Sequence, residues 1–349
     1  MSHHSTNVPS TMFAGLYEPG KYDLVIERHH PVPRPGKGEV LLKVVASGVC
    51  HTDVLLLSGV ALDTRKYILG HEICGTPVEL GEGVDHRVAK KGQLYSVFDY
   101  APCVTAVAGF PAGLNGTGVG QDGGYAPYVV VDHKQLLEVP EGVPAPAAAI
   151  ASDAGITAHH AVHETAGIKH GSNARVLIFG IGGVGHLALQ YAKYYGATVY
   201  VCDNKPEARE LALELGAVEA FDLIDIDQKI KEGFTVDITI DFVANSLTFG
   251  YALGALAGTA STFPSSAKLV LVGVSSETFT ASEFSLIAAN VHILTSLYGS
   301  HEDGKKVLEL FAKGAVRPVI KTEPLEDVRK VINELRASQY VGRKVLIPK

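Results

Sequence analysis

One short segment constrains this chain more than any other. Gly180-Ile181-Gly182-Gly183-Val184-Gly185 follows directly on the apolar run Arg175-Val176-Leu177-Ile178-Phe179 and opens a helical pattern from Val184 to Tyr195. In a chain with 37 glycines a G-x-G-x-x-G pattern alone carries little weight. Its place between a buried strand and a helix is what matters. Gly180 would allow the tight turn, Gly182 a close approach of backbone to a pyrophosphate, and Gly185 close packing of helix on strand. The N–H groups around Gly183 and Val184, at the positive end of the helix dipole, would then face the phosphates. The next strand, Thr198 to Cys202, leads into Asp203, which stands about 20 residues beyond the loop, where a carboxylate can hold the ribose hydroxyls of NAD and repel the 2′-phosphate of NADP. The competing reading is a structural turn with a solvent-exposed Asp.

Around this segment strand and helix alternate. A helix with Pro at its first turn is expected from Pro206 to Leu215, and further strands at Asp237–Val243 and Lys268–Val274. Such alternation gives βαβ units and a parallel sheet covered on both faces. The first 150 residues read differently, as β-branched runs (Glu39 to Ala46, Tyr125 to Val131) punctuated by turn clusters such as Pro33-Arg34-Pro35-Gly36. The last 50 hold two helical patterns and the strand Lys344–Ile347. The fold class is therefore α/β, a doubly wound parallel Rossmann sheet beside a β-rich part. A length of 349 residues suits about two domains. With 46% hydrophobic residues, 19% charged and a net charge of −7, the chain is neither disordered nor suited to binding a phosphate backbone. No apolar stretch is long enough to span a membrane, the first ten residues lack a signal-peptide pattern, and four cysteines are too sparse for a disulfide framework. Cytoplasm is the expected location, with no membrane or nucleic-acid partner.

Two further segments carry metal-ligand chemistry: Gly48-Val49-Cys50-His51-Thr52-Asp53 and Gly70-His71-Glu72. A thiolate and an imidazole suit zinc, and a carboxylate can complete a catalytic site. Spacing alone is weak support, since a lone Cys or His is usually structural. Together with Asp122-Gly123-Gly124-Tyr125-Ala126, Ala154-Gly155-Ile156-Thr157, the glycine loop and Gly342-Arg343-Lys344-Val345, however, these segments resemble the medium-chain dehydrogenases over nearly the whole chain, specifically the zinc-dependent alcohol dehydrogenases.

The resemblance implies that Cys50 and His71 are zinc ligands, with Glu72 an adjacent acid able to approach the metal and Asp53 a partner of the second ring nitrogen of His71. Thr52 would bond the alcohol oxygen and begin the proton relay. His51 and Arg343 would neutralise the pyrophosphate, Thr157 would lie against the nicotinamide, and Val274 would join the cofactor contacts. At the position where many members carry a third ligand Cys this chain has Asp153, whose oxygen is an acceptable zinc donor; its alternative role is to cap the following helix. The four-cysteine structural zinc site of many members is expected to be absent, because Tyr95 to Gly124 contains only Cys103. The relay His of some branches falls near Leu55, so the relay ends at Thr52 and the ribose, or uses water. The implied architecture is a catalytic domain of chaperonin-10 type at residues 1–156 and 298–349 around a Rossmann domain at 157–297, in a homodimer or homotetramer with Rossmann sheets or helices joined across a two-fold axis. The activity implied is reversible NAD-linked oxidation of a primary or secondary alcohol. Its rivals are a zinc-free quinone or enone reductase of the same superfamily and a non-enzymatic dinucleotide-binding protein. Cys74 and Cys202 read as core residues, His159 and His163 as packing or surface residues, and Glu326 to Arg336 as a solvated amphipathic helix.

Overall fold

The computed structural model describes residues 8–59, 64–99, 106–107, 110–111, 115–256, 267–275 and 277–349. The chain divides into two compact units, one of Met1–Ala154, Gly304–Ala312 and Ile320–Lys349, the other of Gly155–Asp303 and Lys313–Val319.

In the second unit six parallel strands, Arg175–Phe179, Thr198–Cys202, Glu219–Phe221, Ile238–Asp241, Lys268–Leu271 and His292–Thr295, form one sheet. Numbered along the chain they lie in the order 3-2-1-4-5-6, that of the doubly wound dinucleotide-binding fold. The first strand is wholly buried from Val176 to Phe179, as a strand covered on both faces must be. Phe179 pairs with Cys202 on one side and Asp241 on the other, so the connections leave in opposite directions and open a crevice beyond Phe179, where the glycine loop begins. The helices follow the sequence signals. Pro206–Leu215 starts on its Pro and ends on Gly216 at φ 102°, and Asp222 caps Leu223–Lys231 by accepting from the N–H groups of Ile224 and Asp225. Two strands are shorter than the sequence suggests, ending at Asp241 and Leu271. Val274 thus lies beyond its strand.

The first unit is built on the long strand Glu39–Gly48. It pairs antiparallel with Glu72–Leu80 on one edge; on the other, Tyr128–Asp132 covers its first half and Arg343–Ile347 its last two residues. One row of this sheet joins three segments far apart in the chain: Gly48 sits opposite Glu72 on one side and Val345 on the other. Strand Tyr128–Asp132 starts later than its apolar pattern, since Tyr125 is held in a turn by its N–H to Leu69 O at 2.8 Å and Pro127 has no N–H to donate. Strand Ile320–Pro324, parallel to Arg343–Ile347, has no clear sequence signal. Helix Val328–Arg336 is amphipathic as expected, with Val328, Val331, Ile332 and Leu335 buried.

A continuous helical run from Ala145 to Thr165 contains two wider turns of π type, Ala151–Gly155 and Ala161–Thr165. Such turns rotate the residues they contain relative to a regular helix and often mark functional positions. Asp153 lies in the first.

In the loop after the fourth strand, Ala244 has φ 53° while its N–H is held by Asp241 Oδ1 and its carbonyl by Ser275 Oγ. Left-handed backbone costs a side-chain-bearing residue about 1–2 kcal/mol. Glycine removes that strain but adds about 0.5–1 kcal/mol of unfolded-state freedom. Ala244→Gly should therefore stabilise the protein by about 0.5–1 kcal/mol, read as a higher midpoint of thermal unfolding. A lower midpoint would show that the Ala244 methyl contributes more packing than strain.

Candidate metal centre and dinucleotide loop

Cys50 follows the sheet row at Gly48 and sits at the N-terminus of helix His51–Leu57. Asp53 closes that first turn by accepting the Cys50 N–H at 2.9 Å, which fixes the cysteine's backbone. His71 and Glu72 begin the neighbouring strand. The third element is the π-type turn, which carries Asp153 in mid-helix, away from any helix start it could cap. Cys50, His71, Glu72 and Asp153 each offer a donor atom, and these lie within 4.8 Å of one another. Asp153 Oδ2 is 3.5 Å from Cys50 Sγ and 3.5 Å from His71 Nε2. A tetrahedral zinc with bonds of about 2.0–2.3 Å spaces its ligands about 3.3–3.8 Å apart, so the donor set fits that ion. His71 Nε2 is buried and takes no hydrogen bond among the described residues, as expected of the ring nitrogen that would bind a metal, while Nδ1 lies 3.3 Å from Asp53 Oδ1. Thr52, half-buried, places Oγ1 3.6 Å from Cys50 Sγ.

The charges point the same way. Burial opposes a charged His71, yet Asp53 and Asp153 raise it well above its ordinary range. Burial also works against ionised Asp153, but His71 and Arg343 hold it down at about 2. The cluster thus favours a cation at its centre, where a metal ion would displace the imidazole proton. Glu72 is fully buried and burial pushes it up to about 7, against the pull of Arg343. A Cβ at Gly48 would collide with Glu72 Oε2, so only glycine at that row leaves room for the carboxylate. Arg343 is also buried, and its guanidinium is ion-paired with Glu72 while its Nε–H donates no hydrogen bond among the described residues. The sequence expectation for Arg343 concerned pyrophosphate alone; the pairing with Glu72 was not anticipated.

In the other unit the glycine loop has the expected form. Gly180 has φ 85°, a Cβ at Gly182 would meet nothing, and one at Gly185 would collide with Gly180 O. The loop is thus open where a phosphate would approach and closed where helix packs on strand. Helix Gly185–Tyr194 begins with Val184 as its N-cap residue, one residue later than the sequence pattern. Asp203 is half-buried; its Oδ2 accepts the Ile181 N–H at 2.7 Å and its Oδ1 the Lys205 N–H, so the carboxylate is tied to the glycine loop rather than loose in solvent. His51 is exposed on the first turn after Cys50, Thr157 is half-buried on its helix, and Val274 is 65% exposed past its strand.

Sequence reasoning missed two residues. His186 is wholly buried, and its Nε2 accepts the Val319 N–H at 3.2 Å. The ring proton is therefore on Nδ1, which donates to Gly182 O at 2.9 Å and pins the loop's second glycine. The signal was its position four residues past Gly182 at the start of the helix. The other is Tyr125, whose hydroxyl reaches Asp53. No spacing rule connects residues so far apart.

His159 is a packing residue as read. Both its ring nitrogens are engaged, by Asp303 at 2.6 Å and by the Tyr195 hydroxyl at 2.8 Å, and its ring stacks on His163. Despite burial, His159 and His160 keep Asp303 well below the usual carboxylate range. Cys74 and Cys202 are buried thiols, and burial pushes Cys202 up to about 12. Cys103, the one cysteine between Tyr95 and Gly124, lies outside the described residues, so the expectation about a structural zinc site is not addressed by them.

Comparison with known proteins places this geometry. A family model described as zinc-binding dehydrogenase matches residues 183–313, and one described as alcohol dehydrogenase GroES-like domain matches residues 36–141. An alcohol dehydrogenase of Geobacillus stearothermophilus is 32% identical over 330 residues, covering 90% of this chain and 93% of that protein. Among solved structures, acetophenone reductase from Geotrichum candidum in complex with NAD superposes with a TM-score of 0.82 at 31% identity, covering 98% of each chain. The alcohol dehydrogenase of the archaeon Aeropyrum pernix gives 0.82 at 29% identity, covering 96% of this chain and 100% of that one. The chain belongs to the zinc-binding alcohol dehydrogenase family.

The His186 geometry separates two substitutions. Asn at this position can keep a donor for Gly182 O, whereas Gln can keep an acceptor for Val319 N–H. His186→Gln should weaken NADH binding about tenfold, as expected for losing about 1.4 kcal/mol from a hydrogen bond that orders the loop, while His186→Asn should stay within about threefold. Fluorescence titration of NADH reads the difference. Equal affinities in the two variants would show that the Gly182 contact does not order the loop.

Proposed function

We propose that this chain catalyses the reversible NAD-linked oxidation of a primary or secondary alcohol to an aldehyde or ketone, with one zinc ion per chain held by Cys50, His71 and Asp153. The observation that carries this reading is the pair of 3.5 Å separations from Asp153 Oδ2 to Cys50 Sγ and His71 Nε2. Zinc would supply Lewis acidity toward the substrate oxygen and NAD the hydride acceptor. One thiolate and one carboxylate balance the ion's +2, the same formal charge that two thiolates would leave, so Lewis acidity should not collapse on exchanging a Cys for Asp153. The protein's own side chains do the rest. Thr52, beside Cys50, accepts a hydrogen bond from the substrate hydroxyl and, as that proton is taken up, passes its own hydroxyl proton on to the cofactor ribose or to water. Asp53 holds His71 by its second ring nitrogen, and Glu72 stands by the metal as a neighbouring acid. His51 and Arg343 offset the pyrophosphate charge, and Thr157 and Val274 lie on the nicotinamide side. Gly180, Gly182, Gly183, Val184 and Gly185 receive the phosphates. Asp203 selects NAD over NADP, since the carboxylate would have to exchange its bond to Ile181 N–H for the ribose hydroxyls and would repel a phosphate there.

We further propose a homodimer or homotetramer with an interface across a two-fold axis. The strand His292–Thr295 ends its sheet with an outer edge unpaired among the described residues, and beside it in sequence Phe284 and Ile287 are 81% and 70% exposed. An unpaired edge with large apolar neighbours is a template for a second copy across a two-fold axis. No described helix is long and apolar enough to cross a membrane, and together with sparse cysteines this supports a cytoplasmic setting.

Elemental analysis of protein never exposed to chelator should give about one zinc per chain, and alcohols should drive the appearance of NADH absorbance. Asp153→Ala should lower zinc occupancy and reduce kcat/KM by at least about 100-fold. Survival of both would remove Asp153 from the ligand set, and absence of zinc from the parent protein would favour the zinc-free reductase. For the oligomer, Ile287→Asp should halve the mass measured by light scattering; an unchanged mass would move the interface elsewhere.

A further inference from the structure

Asp53 is wholly buried, and both hydrogen bonds the structure gives its side chain fall on one oxygen. Oδ2 accepts the Cys50 N–H at 2.9 Å and the Tyr125 hydroxyl at 2.5 Å. Oδ1 takes no hydrogen bond among the described residues and lies 3.3 Å from His71 Nδ1. A carboxylate held by a single donor can still turn about its Cβ–Cγ bond. Two donors of separate origin on the same oxygen fix its plane, and the free oxygen is then presented to one target.

We propose that Tyr125 is a positioning residue of the metal centre: its hydroxyl sets the plane of the Asp53 carboxylate and thereby the orientation in which His71 offers Nε2 to zinc. This rests on the reading that Cys50, His71 and Asp153 hold that ion. The arrangement is built into the backbone. The Tyr125 N–H donates to Leu69 O at 2.8 Å and its carbonyl accepts from Gly15 N–H at 2.9 Å, so the residue is anchored on both sides. Its ring occupies space that any side chain at position 70 would fill: a Cβ on Gly70 would come within 2.5 Å of ring Cδ1, and Gly70 has φ 97°. The glycine immediately before His71 thus admits the ring whose hydroxyl orients the partner of His71. Donation from the phenol also spreads the Asp53 charge, which tempers how strongly Oδ1 draws on the Nδ1 proton and so the basicity of Nε2.

Tyr125→Phe keeps the ring and deletes the donor. Zinc affinity is read by competition with a chromophoric chelator, and the coordination sphere by the absorption of the cobalt-substituted protein. Groups one shell beyond a ligand change metal affinity about 10–100-fold, so the variant should bind zinc about tenfold more weakly and show an altered cobalt spectrum. Thermal unfolding of its metal-stripped form should stay close to the parent's. In an Asp53→Asn background the same substitution should add less than about twofold, because its route through Asp53 is gone. Parent-like zinc affinity with an unchanged cobalt spectrum overturns the proposal, as does a full tenfold loss in the Asp53→Asn background, a comparison that holds even where the substitution lowers stability. A parent protein that binds no zinc would instead overturn the ligand reading beneath it.

Discussion

Burial of charge is the constraint on which the metal centre rests. Cys50, Asp53, Glu72, Asp153, His71 and Arg343 are gathered at the end of one sheet, and an isolated ion in such surroundings would not stay ionised. Each is made tolerable by a neighbour of opposite sign: Asp153 by His71, Glu72 by Arg343. That pairing depends in turn on a sheet register. Opposite Gly48 stand Glu72 and Val345, so a slip of one residue on either side would send a carboxylate or a guanidinium to the wrong face.

The dinucleotide loop solves the opposite problem with almost no charge of its own. Its candidate anion site consists of backbone N–H groups at a helix start, open at Gly182 and packed tight at Gly185. Two side chains then hold the loop in place without occupying it, Asp203 through Ile181 N–H and His186 through Gly182 O. A site of this kind depends on conformation more than on side-chain identity, which is why glycine spacing describes it so completely.

This difference explains what could be read from the sequence. The loop, the strand before it, the helix after it and Asp203 are neighbours along the chain, and local turn chemistry with apolar periodicity located them within a residue or two. The candidate metal ligands are neighbours only in space. Cys50 and His71 gained weight from resemblance rather than spacing, and Asp153 could not be told from a helix cap until a π-type turn was seen to place it in mid-helix. Strand Ile320–Pro324 was missed because Ile-Lys-Thr-Glu-Pro has one large apolar residue and draws its stability from pairing with Arg343–Ile347. Val274 was placed on a strand that in fact ends at Leu271. The Tyr125–Asp53 contact spans 72 positions, and no periodicity reports contacts at such a range.

The sheet row at Gly48 also bears on how the protein comes into being. Cys50 is made early, but the arginine that compensates Glu72 belongs to strand Arg343–Ile347, which closes on Gly48. During synthesis the segment from Glu39 to Leu80 emerges with its buried acid uncompensated, and contacts of such long sequence separation form late and slowly. Until Arg343 is in place Glu72 lacks the guanidinium that pairs with it, so burying its side chain earlier favours the protonated acid.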